Sequence, residues 1–150
     1  MALFVVYRSP DSLTPYARNA RKHSKRQIKK LAAAIEAVGF TTPILIDGSG
    51  QILAGHGRLE AARQAGLSSI PTITLSGLTD AQKRAIRISD NRLAELASWD
   101  LEVLSAEIEA ILDLDVDFDA TLTGFDTGEL DGLLQSRRRR PSEDALDQAP

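Results

Sequence analysis

Residues 43–66 constrain the fold most, because their hydrophobic pattern changes from a strand period to a helix period within a few positions. The segment predicts a buried strand, a hairpin-type turn, a returning strand and a helix ended by Gly66, in that order (43–46, 47–50, 51–54 and 58–65). The chain must therefore place the loop Gly55–Arg58 at the junction between a strand and a helix.

The flanking residues predict further alternating elements. Leu3–Tyr7 and Ile70–Leu75 have the composition of strands. Ser24 with Gln27, and Thr79 with Gln82, have capping-box spacing and each opens an amphipathic helix. We therefore predict an α/β domain over residues 1–95, a small mixed sheet flanked by helices.

The rest of the chain predicts an acidic helical extension over residues 96–135. One helix follows Trp99-Asp100, and a short one, Glu129–Leu134, is capped by Asp126. Residues 136–150 lack apolar periodicity and are predicted to be a disordered tail or linker.

Basic and acidic residues are divided between the two parts of the chain. Residues 1–92 carry 14 Lys and Arg against six Asp and Glu, a net charge of +8. Residues 93–150 carry four arginines against fifteen acidic residues, a net charge of −11. The front half is expected to face a polyanion, and the acidic rear to repel nucleic acid or to shield the front.

Composition excludes several classes of function. The absence of cysteine excludes a disulfide scaffold, a thiolate zinc site and a cysteine nucleophile, and it favours a reducing cytoplasm. We predict no signal peptide and no membrane span, because Leu3–Tyr7 is short and no basic residue precedes it. His23 and His56 are too few for structural zinc, so no metal site is predicted, and His23 is expected in a surface loop.

Gly55-His56-Gly57-Arg58 has the composition of an anion-binding loop. Free N–H groups and the positive end of a helix dipole meet at such a junction, and glycines let the backbone approach a phosphate. Arg58 can grip the phosphate with its planar guanidinium, and His56 can donate a further hydrogen bond. A tight turn with a solvated Arg58 is the open alternative.

Several separately spaced motifs resemble the N-terminal domain of the ParB/sulfiredoxin superfamily. The resemblance spans about residues 3–95. It rests on segments before, within and after Gly55–Arg58, the glycine loop (18–21, 27–44, 52–63, 66–71, 78–80 and 89–95). ParB proteins bind CTP with Mg²⁺ through a Gly-Glu-Arg-Arg loop and a later Glu-Asn-x-x-Arg segment. Here His56 stands where Glu is usual, and Gly57 stands where the first Arg is usual.

The resemblance implies a nucleoside triphosphate, CTP or ATP, with Mg²⁺ as cofactor. The nucleotide-binding residues that it implies are Thr42, Pro43, Gly55, His56, Gly57, Arg58, Asn91 and Arg92. Contacts to DNA or phosphate are expected from a basic cluster, with a solvated helix face as the open alternative (Arg18, Arg21, Lys22, Lys25 and Arg26).

Residues 10–135 resemble more closely the ParB-like domain found before adenine- or cytosine-N4-type DNA methyltransferases in phages and bacteria. Pro15–Asn19, Asp90–Glu95 and Leu122–Asp126 carry this resemblance. It implies a DNA-associated regulatory or targeting module, accessory to DNA modification or partition, with DNA and a methyltransferase domain or subunit as partners. A complete partition protein is not expected, because the extension is short and too acidic for a DNA-binding domain.

Other activities of the superfamily remain as alternatives. Sulfiredoxin chemistry is excluded, because it needs a cysteine. A nucleotide-dependent kinase of free serine would need a carboxylate base, for which Asp47, Glu60 and Asp90 are candidates. A nuclease is the activity by which such domains are often labelled, and a protein-interaction module that keeps only the fold is a further alternative.

Overall fold

The computed structural model describes residues 2–139 of the chain. The chain divides after Ala97 into two compact units, which are described separately below. No helix within the described range is both long and apolar enough to cross a membrane.

The first unit confirms the α/β prediction. It contains four strands and three helices in the order β1, α1, β2, β3, α2, β4, α3 (Val5–Arg8, Lys25–Val38, Ile44–Ile46, Ile52–Ala54, His56–Gln64, Ile70–Thr74 and Asp80–Leu96). The helix after the glycine loop begins two residues earlier than predicted, so that His56 and Gly57 belong to the first turn of α2.

The sheet is mixed and has the strand order β1-β4-β2-β3. The hairpin strands β2 and β3 are antiparallel, β2 and β4 are parallel, and β1 pairs antiparallel with β4 at the edge. The parallel pair places the end of β2 beside the end of β4, and the hairpin returns β3 to the point where α2 begins.

Apolar side chains between the sheet and the helices form the core of the first unit. Ile44, Ile46, Ile52 and Ile70 from the strands pack with Leu59 of α2 and are almost completely buried. Burying each such side chain contributes about 1.5–3 kcal/mol. This packing fixes α2 against the sheet, and with it the strand-to-helix junction.

A second buried cluster joins α1 to α2. Ile28 and Ala32 of α1 contact Ala61 of α2, and the two alanines allow the helices to approach closely. The predicted N-cap of α1 is confirmed, since the hydroxyl of Ser24 accepts the Gln27 N–H at 3.1 Å. The side chain of Gln27 bonds to His23 instead of closing the capping box. Thr79 and Gln82 form the complete reciprocal box at the start of α3.

The second unit is helical and contains α4 and α5 (Leu101–Leu114 and Thr127–Arg139), with a 3₁₀ turn between them. Its core consists of Leu104 and Ile108 from α4 and Leu130 from α5. Residues 136–139, which were predicted to belong to the disordered tail, form the last turn of α5. Arginines are favourable at this helix end because they face the negative pole of the helix dipole. The remainder of the predicted tail lies outside the described residues.

Candidate functional site

A cleft of about 350 Å³ opens at the N-terminus of α2. It is lined by the loop before α1, the start of α2 and one face of α3. Six of the eight predicted nucleotide-binding residues line it: Thr42, Gly55, His56, Gly57, Arg58 and Asn91. The fold therefore brings together segments that lie far apart in the sequence.

Gly55 caps α2 in a conformation that suits only glycine. Its φ is +112°, and a Cβ at this position would lie 3.0 Å from both Arg58 Nη2 and Ile44 Cγ1. Because glycine has no side chain, no side-chain acceptor caps the helix. The first N–H groups of α2 therefore keep their capacity to bind an anion.

Arg58 is held at this helix end by its backbone surroundings. Its Nη2 donates to the carbonyl of Pro43 at 3.1 Å. Its Nε is buried and has no hydrogen-bond partner among the described residues. Burial lowers the pKa of the guanidinium, whereas the nearby Asp90 raises it. Pro43 thus positions Arg58 through its carbonyl and is not among the residues that line the cleft.

His56 forms a hydrogen bond that holds the loop before α1 against α2. Its Nε2 accepts a hydrogen bond from the backbone N–H of Tyr16 at 3.0 Å. The pKa of His56 is lowered by burial first, and then by the charges of Arg87 and His23. An imidazole nitrogen that accepts a hydrogen bond carries no proton, so the neutral ring is the form that fits this contact.

Arg87 of α3 lines the cleft, although it was not among the predicted site residues. It is only 8% exposed, and its Nε donates to the carbonyl of Ile52 at 3.1 Å. Its guanidinium also stacks on the Tyr16 ring. One signal was available in the sequence: Arg87 precedes Asn91 by one helical turn, so the two residues share a face of α3. The amide of Asn91 donates to the carbonyl of Arg87 at 3.1 Å.

His23 lies in the loop before α1, as predicted, but it is partly buried and lines the cleft. Its ring packs against Gly57, where a Cβ would come within 2.9 Å of His23 Cε1. Its Nδ1 is 3.1 Å from Oε1 of Gln27. Sequence spacing could not reveal this contact, because it depends on how the loop before α1 folds back over α2.

The three candidate carboxylates occupy different environments. Asp90 lines the cleft, whereas Glu60 is exposed and lines a neighbouring surface groove. Asp47 is buried in the hairpin turn and accepts hydrogen bonds from Ser49, Gln51 and Lys83. Burial would raise the pKa of Asp47, but these hydrogen bonds outweigh it and lower the pKa to about 2. Of the three, only Asp90 is placed to meet a ligand in the cleft.

The basic residues predicted to contact DNA or phosphate are distributed around the cleft. Arg21 lines it, with its Nη1 3.9 Å from a carboxylate oxygen of Glu95. Arg92 is exposed and forms an ion pair with Glu95 at 3.2 Å instead of lining the cleft. The other four predicted contacts, all exposed, are not among the cleft-lining residues (Arg18, Lys22, Lys25 and Arg26).

The charged side chains that line the cleft favour an anionic ligand. Arg21, Arg58 and Arg87 outnumber the single carboxylate, Asp90. Within residues 2–139 no three His, Cys, Asp or Glu side chains cluster in a way that could hold a metal ion by themselves. The arrangement suits a phosphate chain, which Mg²⁺ commonly accompanies with only one or two protein carboxylates.

Fold and cleft together define a small α/β domain in which a glycine-capped helix start opens into a cleft lined by arginines. The family model of the ParB N-terminal domain matches residues 5–96, and the chain belongs to this family. A second family model, the ParB-methyltransferase HTH domain, matches residues 102–150.

The acidic extension was expected not to be a DNA-binding domain, whereas the second match is to a family of HTH domains. Three of the acidic residues in this extension cap helices or turns. Asp100, Asp119 and Asp126 accept backbone N–H groups at the starts of α4, the 3₁₀ turn and α5. Capping serves local structure, but these residues still count toward the net charge of −11 in residues 93–150.

Two curated relatives illustrate the similarity. The ParB-like nuclease domain-containing protein YnaK of Escherichia coli is 51% identical over 82 residues, covering 55% of this chain and 94% of that protein. The probable chromosome-partitioning protein ParB of Rickettsia bellii is 35% identical over 82 residues, covering 54% of this chain and only 28% of that protein.

Solved structures show the same fold. The C-terminally truncated chromosome-partitioning protein ParB from Caulobacter crescentus complexed with CTP-γ-S has a TM-score of 0.77 and 18% identity, covering 96% of this chain and 83% of that chain. The truncated Caulobacter protein complexed to the centromeric parS site has a TM-score of 0.50 and 19% identity, covering 95% of this chain and 76% of that chain.

Proposed function

We propose that the cleft binds the phosphate chain of a nucleoside triphosphate, CTP or ATP, together with Mg²⁺. The observation that carries this proposal is the buried Nε of Arg58, which has no partner among the described residues and lies in a side chain at the glycine-capped N-terminus of α2. An unsatisfied buried donor of a charged group is costly, and a phosphate oxygen would satisfy it once the guanidinium turns toward the cleft that Arg58 lines.

The other side chains of the cleft suit the same ligand. The N–H groups of the first turn of α2 would receive one phosphate, and Arg21 and Arg87 would balance the remaining charge. Asp90 would provide the protein carboxylate near Mg²⁺, which neutralises phosphate charge when it is bound. Asn91 lies on the same face of α3 and would close over the ligand, with Arg92 at the rim.

The identity of the nucleotide is the finer part of the proposal. The Caulobacter ParB with the same fold was solved with CTP-γ-S, which supports CTP before ATP. The loop here differs, since His56 and Gly57 stand where that family commonly has Glu and Arg. A direct comparison of the two nucleotides is therefore needed.

We further propose that the chain is a DNA-associated regulatory or targeting module, accessory to DNA modification or partition. Membership of the ParB N-terminal domain family and the match of residues 102–150 to the ParB-methyltransferase HTH domain support this proposal. A methyltransferase domain or subunit is the proposed protein partner, and the net charge of +8 in residues 1–92 supports contact with DNA.

The kinase alternative rests on one residue. Of its three candidate bases, Asp90 alone lines the cleft, while Asp47 is held by Ser49 and Lys83. A nuclease has less support than the binding module, because Asp90 is the only carboxylate among the residues that line the cleft.

Isothermal titration calorimetry with CTP, ATP and ADP, with Mg²⁺ and with or without serine, tests the proposal. Binding of a triphosphate without turnover is expected. Arg58→Ala should weaken it by about tenfold or more, because a charge-assisted hydrogen bond is lost. Arg63→Ala, which removes an exposed arginine from the last turn of α2, is the matched control. Serine-dependent turnover would favour the kinase, and the absence of any nucleotide binding would contradict both functions.

A further inference from the structure

We propose that His23 contacts the bound phosphate through its Nε2, a role that the Nε2 of His56 cannot take. The inference rests on the proposed function and specifies which side chain completes the anion site. It reverses the roles expected from the glycine loop, where His56 is the donor and His23 is a loop residue.

His56 is unavailable at its Nε2. That nitrogen accepts the backbone N–H of Tyr16 at 3.0 Å, so protonating it to hold an anion would break the contact. The loss would release the loop that carries Tyr16, on which Arg87 stacks. Direct phosphate binding by this nitrogen therefore conflicts with the structure of the cleft.

Gly57 has no side chain at the point where the His23 ring lies. It lies in the first turn of α2 and is not among the glycines with positive φ, so the backbone does not require glycine here. A Cβ on Gly57 would lie 2.9–3.2 Å from three atoms of the His23 ring. The missing side chain therefore makes a place for the imidazole directly against the N-terminus of α2.

The hydrogen bonds of the ring leave one nitrogen for a ligand. Nδ1 bonds to Oε1 of Gln27 at 3.1 Å, so Nδ1 carries the proton of that contact. Nε2 has no hydrogen-bond partner in the part of the chain that the structure describes. An anion in the cleft would stabilise the imidazolium form, in which Nδ1 donates to Gln27 and Nε2 donates to the phosphate.

The charged neighbours of His23 favour an anionic ligand beside it. The charged groups that share the cleft and its rim with His23 are mostly basic (Arg21, Lys25, Arg58, Arg63 and Arg87, against Asp90 and Glu60). A bound phosphate would supply the negative charge that this set of side chains lacks. His23 would thus add a hydrogen-bond donor at the loop where the family's usual Arg is replaced by Gly57.

A double-mutant cycle with inorganic pyrophosphate tests the inference. His23→Phe keeps an aromatic ring but removes both nitrogens. Gly57→Ala leaves His23 intact but displaces its ring, and alanine favours the helix, so the melting temperature should not fall. Each variant should lose about tenfold in affinity, and the double variant should lose no more than either single one. Additive losses, or wild-type affinity in folded His23→Phe, would overturn the inference and leave the proposed function intact.

Nitrogen-15 NMR of the imidazoles provides an independent measurement, and it is simple because the chain has two histidines. Adding pyrophosphate to the wild-type protein at about pH 8, above the ordinary range of histidine, should move the His23 Nε2 resonance to the imidazolium position. The His56 resonances should stay those of a neutral ring. Binding with an unchanged His23 resonance would contradict the inference, whereas no binding by the wild-type protein would contradict the proposed function itself.

Discussion

The guanidinium of Arg87 lies over the ring of Tyr16, with its Cζ atom 3.7 Å from the ring centroid. Tyr16 also accepts a hydrogen bond at its hydroxyl from Arg84 at 2.9 Å, and its backbone N–H donates to His56. One residue of the loop before α1 is thereby joined to both α3 and α2. The stacking holds Arg87, which lines the cleft, against the loop before α1.

Replacing Tyr16 with Leu should destabilise the first unit and weaken ligand binding. The substitution removes the cation–π contact and the hydroxyl hydrogen bond, each about 1 kcal/mol, so the free energy of unfolding should fall by about 2 kcal/mol. Urea denaturation followed by circular dichroism measures the change. Tyr7→Leu is the control, because Tyr7 is 67% exposed on the edge strand. Equal stability of the two variants would show that the stacking contributes nothing.

Much of the first unit could be predicted because its local signals agree with its packing. The Thr79 box, the Ser24 cap and the apolar strands around the 47–50 turn each appeared where the residue pattern indicated. Local hydrogen bonds decide such features, so neighbouring residues are sufficient to predict them. The predicted start of α2 was two residues too late, because Gly55 directly follows β3 and is itself the N-cap of the helix.

The cleft could be predicted only in part, because the positions of some lining residues depend on contacts between segments far apart in the sequence. Gly55 and Arg58 carry a local signal in their spacing. The places of Arg87 and His23 depend on how α3 and the loop before α1 lie against α2. The burial of Asp47 was also invisible in the sequence, because its partner Lys83 is 36 residues away.

The carboxylate of Asp47 should make stability depend on pH in the acid range. Burial opposes its ionisation, but hydrogen bonds from Ser49, Gln51 and Lys83 lower its pKa from 3.8 to about 2. Because the folded pKa lies below the unfolded one, the stabilisation is complete above about pH 4 and is lost as the pH falls through about 2. At neutral pH the contribution is about 2 kcal/mol.

Asp47→Asn should therefore be about 2 kcal/mol less stable than the wild type at neutral pH, and the difference should shrink below about pH 4. Urea denaturation at about pH 7, 4 and 3 gives the two stability profiles. Glu36→Gln, an exposed carboxylate on α1, controls for the general effect of lost charge. A gap between wild type and Asp47→Asn that stays constant with pH would contradict the assignment.

Gly55→Ala should damage both the fold and the cleft. The left-handed backbone costs a non-glycine residue about 1–2 kcal/mol, and the new Cβ would press on Arg58 Nη2 and Ile44 Cγ1. Thermal denaturation should show a lower melting temperature, and triphosphate affinity should fall with it. Gly48→Ala is the control, because that glycine has open space around its Cβ position and no positive φ. A Gly55→Ala protein with wild-type stability would contradict the capping geometry.

DNA binding, if it uses the basic surface of the first unit, should depend steeply on salt. Lys22 and Lys25 are exposed, so alanine at both positions should remove about two phosphate contacts without disturbing the core. The slope of log affinity against log salt concentration should then become shallower by about two, since each contact releases about one counterion. Fluorescence anisotropy of a labelled duplex between about 50 and 200 mM salt measures both slopes. Arg8→Ala, at the end of the edge strand, is the matched control. An unchanged slope in the double variant would show that DNA does not contact this surface. Residues 102–150, which match the ParB-methyltransferase HTH domain, would then be the next segment to mutate.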